Sequence, residues 1–323
     1  MVEDPTIRLG NGIELLDETK YYFDPTDIGY GGIHCLSHAH FDHLPGKVLG
    51  DEVVCSPITL RCASDRLKKG LRAIEHPSIQ VLDSGHILGS SMFLVEGEKR
   101  VLYTGDLCTR DRLGMKGATP VKADVLILES TYGLPRYVFP PREESEKELR
   151  DWVEDKISSG HSVAVLAYPL GKSQEMLMLF RDMSPYLYGS SLQTTQVIEE
   201  AGPEFSYCPF DIRTAEEPFL LICPTGVRRA GFIENLRKDG MMVIGTSGWA
   251  LDPSFKFRMG VDEVFPLSDH ADFNDLLWFA EKCDPSIVIT HHGFERELAS
   301  QIKSRLGLES CALIRDQRSL LEF

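Results

Sequence analysis

Four residues of metal-ligand type fall within six positions: His38, His40, Asp42 and His43, in SHAHFDHLPG directly after the run GIHCLS. Residues two apart in an extended chain point the same way, so His38 and His40 can present two imidazoles to one cation. Asp42 and His43 follow as the chain turns and can reach a second cation beside the first. A single histidine is ordinarily a surface or packed residue, whereas four ligand-type side chains at one strand end point to metal. One segment cannot complete two coordination spheres. His86 in DSGHILGSSMF, Asp106 in VLYTGDL and His292 in VITHHGFE each stand in a strand-to-loop setting beside or near a glycine. A carboxylate has two oxygens, so Asp106 can bridge two ions. Two divalent ions about 3.5–4 Å apart are suited to clamp a phosphodiester during in-line displacement. Mixed histidine and carboxylate ligands suit Zn2+, and Mn2+ or Fe2+ can enter the same kind of site.

The elements that must carry these residues are short strands. TIRL, IELL, KYYFD, GIHCLS, QVLDS, MFLVEG, RVLYTG and DVLILES are separated by Gly, Pro and charged turns, which is the texture of β structure. SPITLRCASDRLKKGLRAI predicts a helix opened by the Ser56–Pro57 pair. After Pro135 the texture changes. PPREESEKELRDWVEDKISSG predicts a helix over 143–158, with Leu149, Trp152, Val153 and Ile157 on one face. SVAVLAY, FLLICP and MMVIGT then alternate with the helix KSQEMLMLF and another around 227–238, an order that implies a small, mostly parallel sheet. The tail returns to EVFPLS, the helix DFNDLLWFAEKC, SIVIT, a helix at 295–305 and CALIR. The expected organisation is an α/β module at 134–262 inserted into a domain built from 1–133 and 263–323.

Two turns offer a seat for phosphate. Gly171, Lys172 and Ser173 open the helix in PLGKSQEML, where free N–H groups and an ammonium can meet an anion; a plain glycine at a helix start accounts for the same letters. GTSGWA provides a similar turn at Thr246, Ser247 and Gly248. The net charge is −15, which argues against a generally adhesive surface for polyanions or anionic membranes. Bound metal ions would supply concentrated positive charge whatever the net balance. No apolar run approaches the roughly 20 residues of a bilayer span. MVEDPTIRLGNG lacks the apolar stretch of a secretory signal. The eight cysteines form no CxxC pair and read as reduced thiols, so a cytoplasmic setting is expected. His34, His76 and His161 read as structural or surface residues.

The order HxHxDH, GH, GD, ESTYG, SDHAD and HG resembles the β-CASP branch of the metallo-β-lactamase superfamily. That branch includes the endonuclease subunit of the cleavage and polyadenylation specificity factor, ribonuclease J and bacterial DNA-ligase-associated exonucleases. The resemblance runs from Asp24 to the His292 region. It implies a four-layer αββα sandwich with a small inserted α/β (β-CASP) cap, and a two-metal nuclease acting on single-stranded nucleic acid. It implies that His38, His40 and His86 hold one metal, that Asp42, His43 and His292 hold the other, and that Asp106 bridges them. Asp24 in YYFDP would orient the ligands and, with Asp42, count among the catalytic groups. Glu129 in LESTYG and His270 in LSDHAD would form the acid–base pair, His270 nearest the leaving group. His292 is preferred to His291 because the family's residue immediately precedes the glycine. A histidine there accompanies the RNA-acting branches, which favours RNA and activity like that of the mRNA 3′-end-processing nucleases. LESTYGLPRY, LSDHAD and TSGW resemble the ligase-associated type, which keeps a DNA exonuclease as the alternative. Small-molecule hydrolases of the fold lack ESTYG, SDHAD and the inserted module. Degenerate scaffold members lose ligands, and all seven stand in this sequence.

Overall fold

The computed structural model describes residues 6–313. It is a mixed α/β structure with several sheets. The chain up to Val138 and from His270 onward forms one compact unit, and Phe139–Asp269 forms a second.

The first unit holds two main sheets, besides two short pairs, Asp27–Ile28 with Lys47–Val48 and Glu52–Val53 with Arg72–Ala73. In the smaller, Thr6–Gly10, Gly12–Leu16 and Lys20–Phe23 make an antiparallel meander, and Ile33–Cys35 pairs parallel to Lys20–Phe23. The larger runs Glu309–Ala312, Ile287–Gly293, Val125–Ser130, Arg100–Tyr103, Ser91–Glu96, Ile79–Asp83. Its first four strands are parallel, and the last two pair antiparallel. Val125–Ser130 is buried along its whole length, so its first four residues, VLIL, read as an unbroken apolar run. Side-chain alternation sorts its residues all the same. Val101, Tyr103, Val125 and Ile127 pack toward Ile13, Leu15, Tyr21 and Phe23 of the smaller sheet. Leu102, Leu126, Leu128 and Val288 pack toward the helices Phe273–Cys283 and Glu295–Leu306, through Phe273, Leu276, Phe279, Leu298 and Ile302. With strand direction shared, the carboxyl ends of the parallel strands lie on one edge of the sheet, and the loops after them meet there.

The helix Phe273–Cys283 begins on Asp272, whose carboxylate accepts a hydrogen bond from the Asp275 N–H at 2.9 Å. Asp272 is fully buried and is also paired with Arg110. Asp272→Ala would remove the cap and one partner of a part-buried guanidinium. A loss of about 2 kcal/mol or more is expected from urea unfolding. A loss under about 0.5 kcal/mol, the low end for caps, would mean that neither contact supports the fold.

The second unit is built on one all-parallel sheet in the order Cys208–Pro209, Tyr186–Leu187, Leu220–Pro224, Val163–Ala167, Met242–Thr246, Glu263–Phe265. Helix Arg142–Ser158 buries Leu149 and Val153. Glu263–Phe265 pairs with Met242–Thr246, so this sheet continues past 262, the boundary expected from the change of texture. The sequence does not announce helix Ser190–Glu199 or the two-residue strands flanking it. SSLQTTQVIE buries Ser191, Thr195 and Ile198, and small polar residues on the inner face leave no apolar stripe. The helix capped by Ser56 stops at Leu67, where Lys68 is left-handed. LRAI, expected to prolong it, instead contributes Arg72–Ala73, paired with Glu52–Val53. Ile314 and Arg315 of the expected CALIR strand lie outside the described residues. The cysteines are free thiols. No helix among the described residues is long and apolar enough to cross a membrane.

Candidate metal centre

Every residue of the cluster belongs to the first unit. His38, His40 and the short 3-10 turn Phe41–His43 follow Ile33–Cys35. His86 lies between Ile79–Asp83 and Ser91–Glu96, Asp106 follows Arg100–Tyr103, and His292 is in Ile287–Gly293.

His38 Nε2 is 3.1 Å from His40 Nδ1, and His86 Nε2 is 3.2 Å from the same nitrogen. Asp106 Oδ2 is 3.4 Å from His38 Nε2 and 3.6 Å from His86 Nε2. These four residues bring one donor atom each within 4.8 Å of one another. The other oxygen, Asp106 Oδ1, is 3.4 Å from His43 Nε2 and 3.9 Å from His292 Nε2. Asp42 Oδ2 lies 4.0 Å from His43 Nε2 and 3.8 Å from His292 Nε2. Asp106 therefore turns one oxygen to each of two groups of ligand-type side chains.

A cation fits this arrangement. Tetrahedral zinc with bonds of about 2.0–2.1 Å has donor-to-donor edges of about 3.3 Å, and four of the first group's six edges are 3.1–3.6 Å, with all its donors within 4.8 Å of one another. His43 Nε2 and Asp106 Oδ1 are buried with no hydrogen-bond partner among the described residues, a state that costs free energy unless something else satisfies them. Burial and the neighbouring His43 hold the His38 imidazole well below its ordinary pKa, leaving a lone pair for a metal. Burial also works against charge on His43, but Asp106, Asp24 and Asp42 outweigh it and push its pKa up to about 10. The pocket thus favours positive charge at that place. Burial opposes ionisation of Asp106, yet the surrounding imidazoles, His43 foremost, keep its pKa well below the usual carboxylate range.

The surrounding contacts fix the geometry. Asp24 Oδ2 accepts from His43 Nδ1 at 2.7 Å, Ser37 Oγ at 2.5 Å and Tyr103 Oη at 2.8 Å, while Oδ1 accepts from the Ser37 N–H at 2.6 Å. With Nδ1 engaged, His43 presents Nε2 to the centre. A Cβ on Gly105, where φ is +52°, would stand 2.6 Å from Ser37 Cβ, so the glycine lets Asp106 come close to this ring of contacts. Buried Arg112 donates to the carbonyls of Gly85 and His86, the latter at 2.5 Å, and so fixes the loop that carries His86. Sequence reasoning missed Arg112, Ser37 and Tyr103. Each acts through a contact distant in the chain or through a hydroxyl with no distinctive spacing.

The structure separates the two adjacent histidines. Glu129 pairs with His291 and Ser130 with Gly293, so His292 is the extra residue of a β-bulge, with φ +61°. A bulge re-aims the unpaired side chain, and His292 turns to the cluster. His291 is half-buried with its ring against Tyr103, centroids 5.4 Å apart and Nε2 buried, and burial of the ring pulls its pKa down to about 3.

Glu129 is fully buried. Its Oε1 accepts from the Leu107 N–H at 2.5 Å, and His270 Nδ1 lies 3.1 and 3.2 Å from its two oxygens. The Ala271 N–H donates to the Leu107 carbonyl at 2.5 Å, which ties the His270 loop to the residue after Asp106. Asp106, Glu129 and His270 also bring donor atoms within 4.8 Å of one another.

The three residues considered for phosphate belong to the second unit and divide. Lys172 is buried and donates to Glu175 Oε2 at 2.6 Å. Ser173 Oγ is buried too, and bonds the Tyr168 carbonyl at 2.9 Å and Ser191 Oγ at 2.8 Å. Both are engaged by buried partners within the second unit. Ser247 instead lines a cavity of about 440 Å³ with Tyr168, Thr225, Thr246, Arg228 and Arg229, at the carboxyl ends of three parallel strands.

No family model matches the chain. A probable DNA ligase of Opitutus terrae is 35% identical over 302 residues, which is 88% of this chain and 29% of that protein. An RNase J-like protein of Methanocaldococcus jannaschii is 28% identical over 270 residues, 68% of this chain and 64% of that protein. Cleavage and polyadenylation specificity factor subunit 3 of Dictyostelium discoideum is 38% identical over 111 residues, 33% of this chain and 14% of that protein. The chain spans less than two thirds of each of these relatives. Their likeness falls on a chain that carries the histidine–aspartate motifs in the family's order, and the chain belongs to the β-CASP branch of the metallo-β-lactamase superfamily.

Proposed function

We propose that the chain is a metal-dependent nuclease that hydrolyses phosphodiester bonds of single-stranded nucleic acid, RNA foremost. The observation that carries this reading is Asp106 placed between two ligand groups, with the Glu129–His270 pair beside them. His38, His40 and His86 would hold one cation and Asp42, His43 and His292 a second, with Asp106 shared. Zn2+ suits the donors, and Mn2+ or Fe2+ can replace it. Bound there, the ions would polarise the phosphoryl oxygens and concentrate positive charge in a chain of net charge −15. The chain's own groups do the rest. Asp24 and Arg112 keep His43 and His86 aimed. Glu129 accepts from His270 Nδ1–H, which leaves Nε2 to hand a proton to the departing oxygen. Ser247 and the arginines of its cavity would take a backbone phosphate. Two sheets with a common core and helices outside the larger one support the four-layer αββα reading, and Phe139–Asp269 would be the β-CASP cap.

The Methanocaldococcus relative, an RNase J-like protein, and the Dictyostelium relative, a cleavage and polyadenylation specificity factor subunit, support RNA. The match to a probable DNA ligase over 88% of this chain supports a second reading, a DNA exonuclease working beside a ligase. A cleavage assay decides between them, using 5′-phosphorylated and 5′-hydroxyl strands of RNA and DNA with Zn2+ or Mn2+. RNA cut faster than DNA, and EDTA stopping both, is the expected result. Faster DNA cleavage selects the second reading. No cleavage of any strand with either ion overturns both.

A further inference from the structure

Phe41 stands between His40 and Asp42, yet it is 72% exposed. Single exposed apolar residues are ordinary; the way this one is held is not. It opens the 3-10 turn Phe41–His43, and its carbonyl accepts from the Leu44 N–H at 3.3 Å. The turn ends on His43, which is buried and pinned to Asp24 at 2.7 Å. The backbone under the ring is therefore fixed by the same contacts that aim His43. The ring is held as well. The Arg66 guanidinium carbon lies over it, 4.5 Å from its centroid. Arg66 is half-buried and donates to the Ala39 carbonyl at 2.6 Å, which ties it to the same loop. A cation covers one face of the ring, and the exposure leaves the other open. Its chain neighbours, His40 and Asp42, are ionisable rather than apolar, which favours a nucleobase over a lipid or an apolar protein partner. The open face is one aromatic ring, flat, and set beside the place where a phosphate would be cut. Nucleobases stack on such rings whatever their identity, because every base has a π-face.

We propose that Phe41 is a stacking platform for the base of a nucleotide flanking the scissile phosphate, held in place by Arg66. The proposal rests on the nuclease reading of the cluster. It makes Phe41 a substrate-positioning residue that recognises single strands without reading their sequence.

The test moves one 2-aminopurine, and separately one abasic site, along a short single-stranded oligonucleotide. Binding is read as aminopurine fluorescence and anisotropy in the His270→Ala chain of 323 residues, so that turnover is slow. One position should show quenching on binding. Phe41→Ala should remove that quenching and weaken binding about 5- to 150-fold, while Phe41→Tyr keeps both. An abasic site at the same position should cost the Phe41-containing chain a similar factor and the Phe41→Ala chain almost nothing. Metal content of the Phe41→Ala chain, by elemental analysis, should match that of its parent. Equal weakening on intact and abasic strands, or lost metal, would mean that Phe41 only supports the turn, and would overturn the proposal. A strand that binds with no position quenched also overturns it and leaves the nuclease reading standing. If the Phe41-containing chain binds no strand at all, the nuclease reading falls and the proposal with it.

Discussion

The Asp106→Ala chain is expected to lose both cations together. Its Oδ2 stands 3.4 Å from His38 Nε2 and its Oδ1 3.4 Å from His43 Nε2, so one substitution removes a donor from each group. It would also remove a buried negative charge from between the two proposed cations, whose mutual repulsion would then be less offset. Residues that merely orient a ligand typically alter metal affinity about 10–100-fold. A shared ligand should exceed the upper end of that range at both sites. Asp24→Asn supplies the comparison, because Asp24 reaches the His43 ring directly through Nδ1 and the His38 ring only through the Ser37 hydroxyl. It should fall within the orienting range and weaken one site more than the other. Elemental analysis after dialysis, with titration against a competing chelator, reads both variants. An Asp106→Ala chain that still holds nearly two ions at native affinity would exclude the bridge. Loss of one ion alone would assign Asp106 to a single site.

What the sequence made legible follows from how far apart the cooperating residues lie. HxHxDH is compact, and its meaning rests on two local facts, the period of an extended chain and the chemistry of imidazole. His86, Asp106 and His292 are individually weak signals. They become informative because several strands of one sheet end on the same edge, so strand-end residues distant in sequence converge in space. The preference for His292 rests on likeness to a family alone. The bulge between Glu129 and Ser130 turns that ring toward the cluster, and nothing in VITHHGF marks where a ladder will slip by one residue. Arg112 was illegible for a related reason, since its partners are carbonyls at 85 and 86 and any arginine can bond a carbonyl. Lys172 misled in the other direction. A lysine at a glycine helix start suggests a phosphate seat, but Lys172 turns inward to Glu175, three residues on. That spacing ordinarily describes a surface pair; here it lies in the core of the second unit. The small-residue inner face of Ser190–Glu199 hid a helix from any pattern based on apolar periodicity.

The His270→Ala chain is expected to keep its metal and lose most of its activity. His270 Nδ1 lies 3.1 Å from Glu129 Oε1, and Glu129 is itself fixed by the Leu107 N–H at 2.5 Å. A buried carboxylate so placed holds one tautomer of the ring and aims its other nitrogen outward, which is what a proton donor requires. Loss of a general acid costs about 10²–10⁴-fold in rate. The size of the loss should depend on the leaving group. An alkoxide leaving from a nucleic-acid strand needs a proton, whereas a nitrophenolate scarcely does, so the deficit should shrink on a nitrophenyl ester of a nucleotide. Glu129→Gln should show the same dependence on leaving group with a smaller loss, because the ring remains but its orientation and charge are less well held. Equal losses on both substrates with metal retained would make His270 a group that positions the phosphate. Because Asp106, Glu129 and His270 bring donor atoms together, metal analysis is the decisive control. Metal lost from the His270→Ala chain would make His270 a ligand, and the proton would then have to come from another group at the edge of the same sheet.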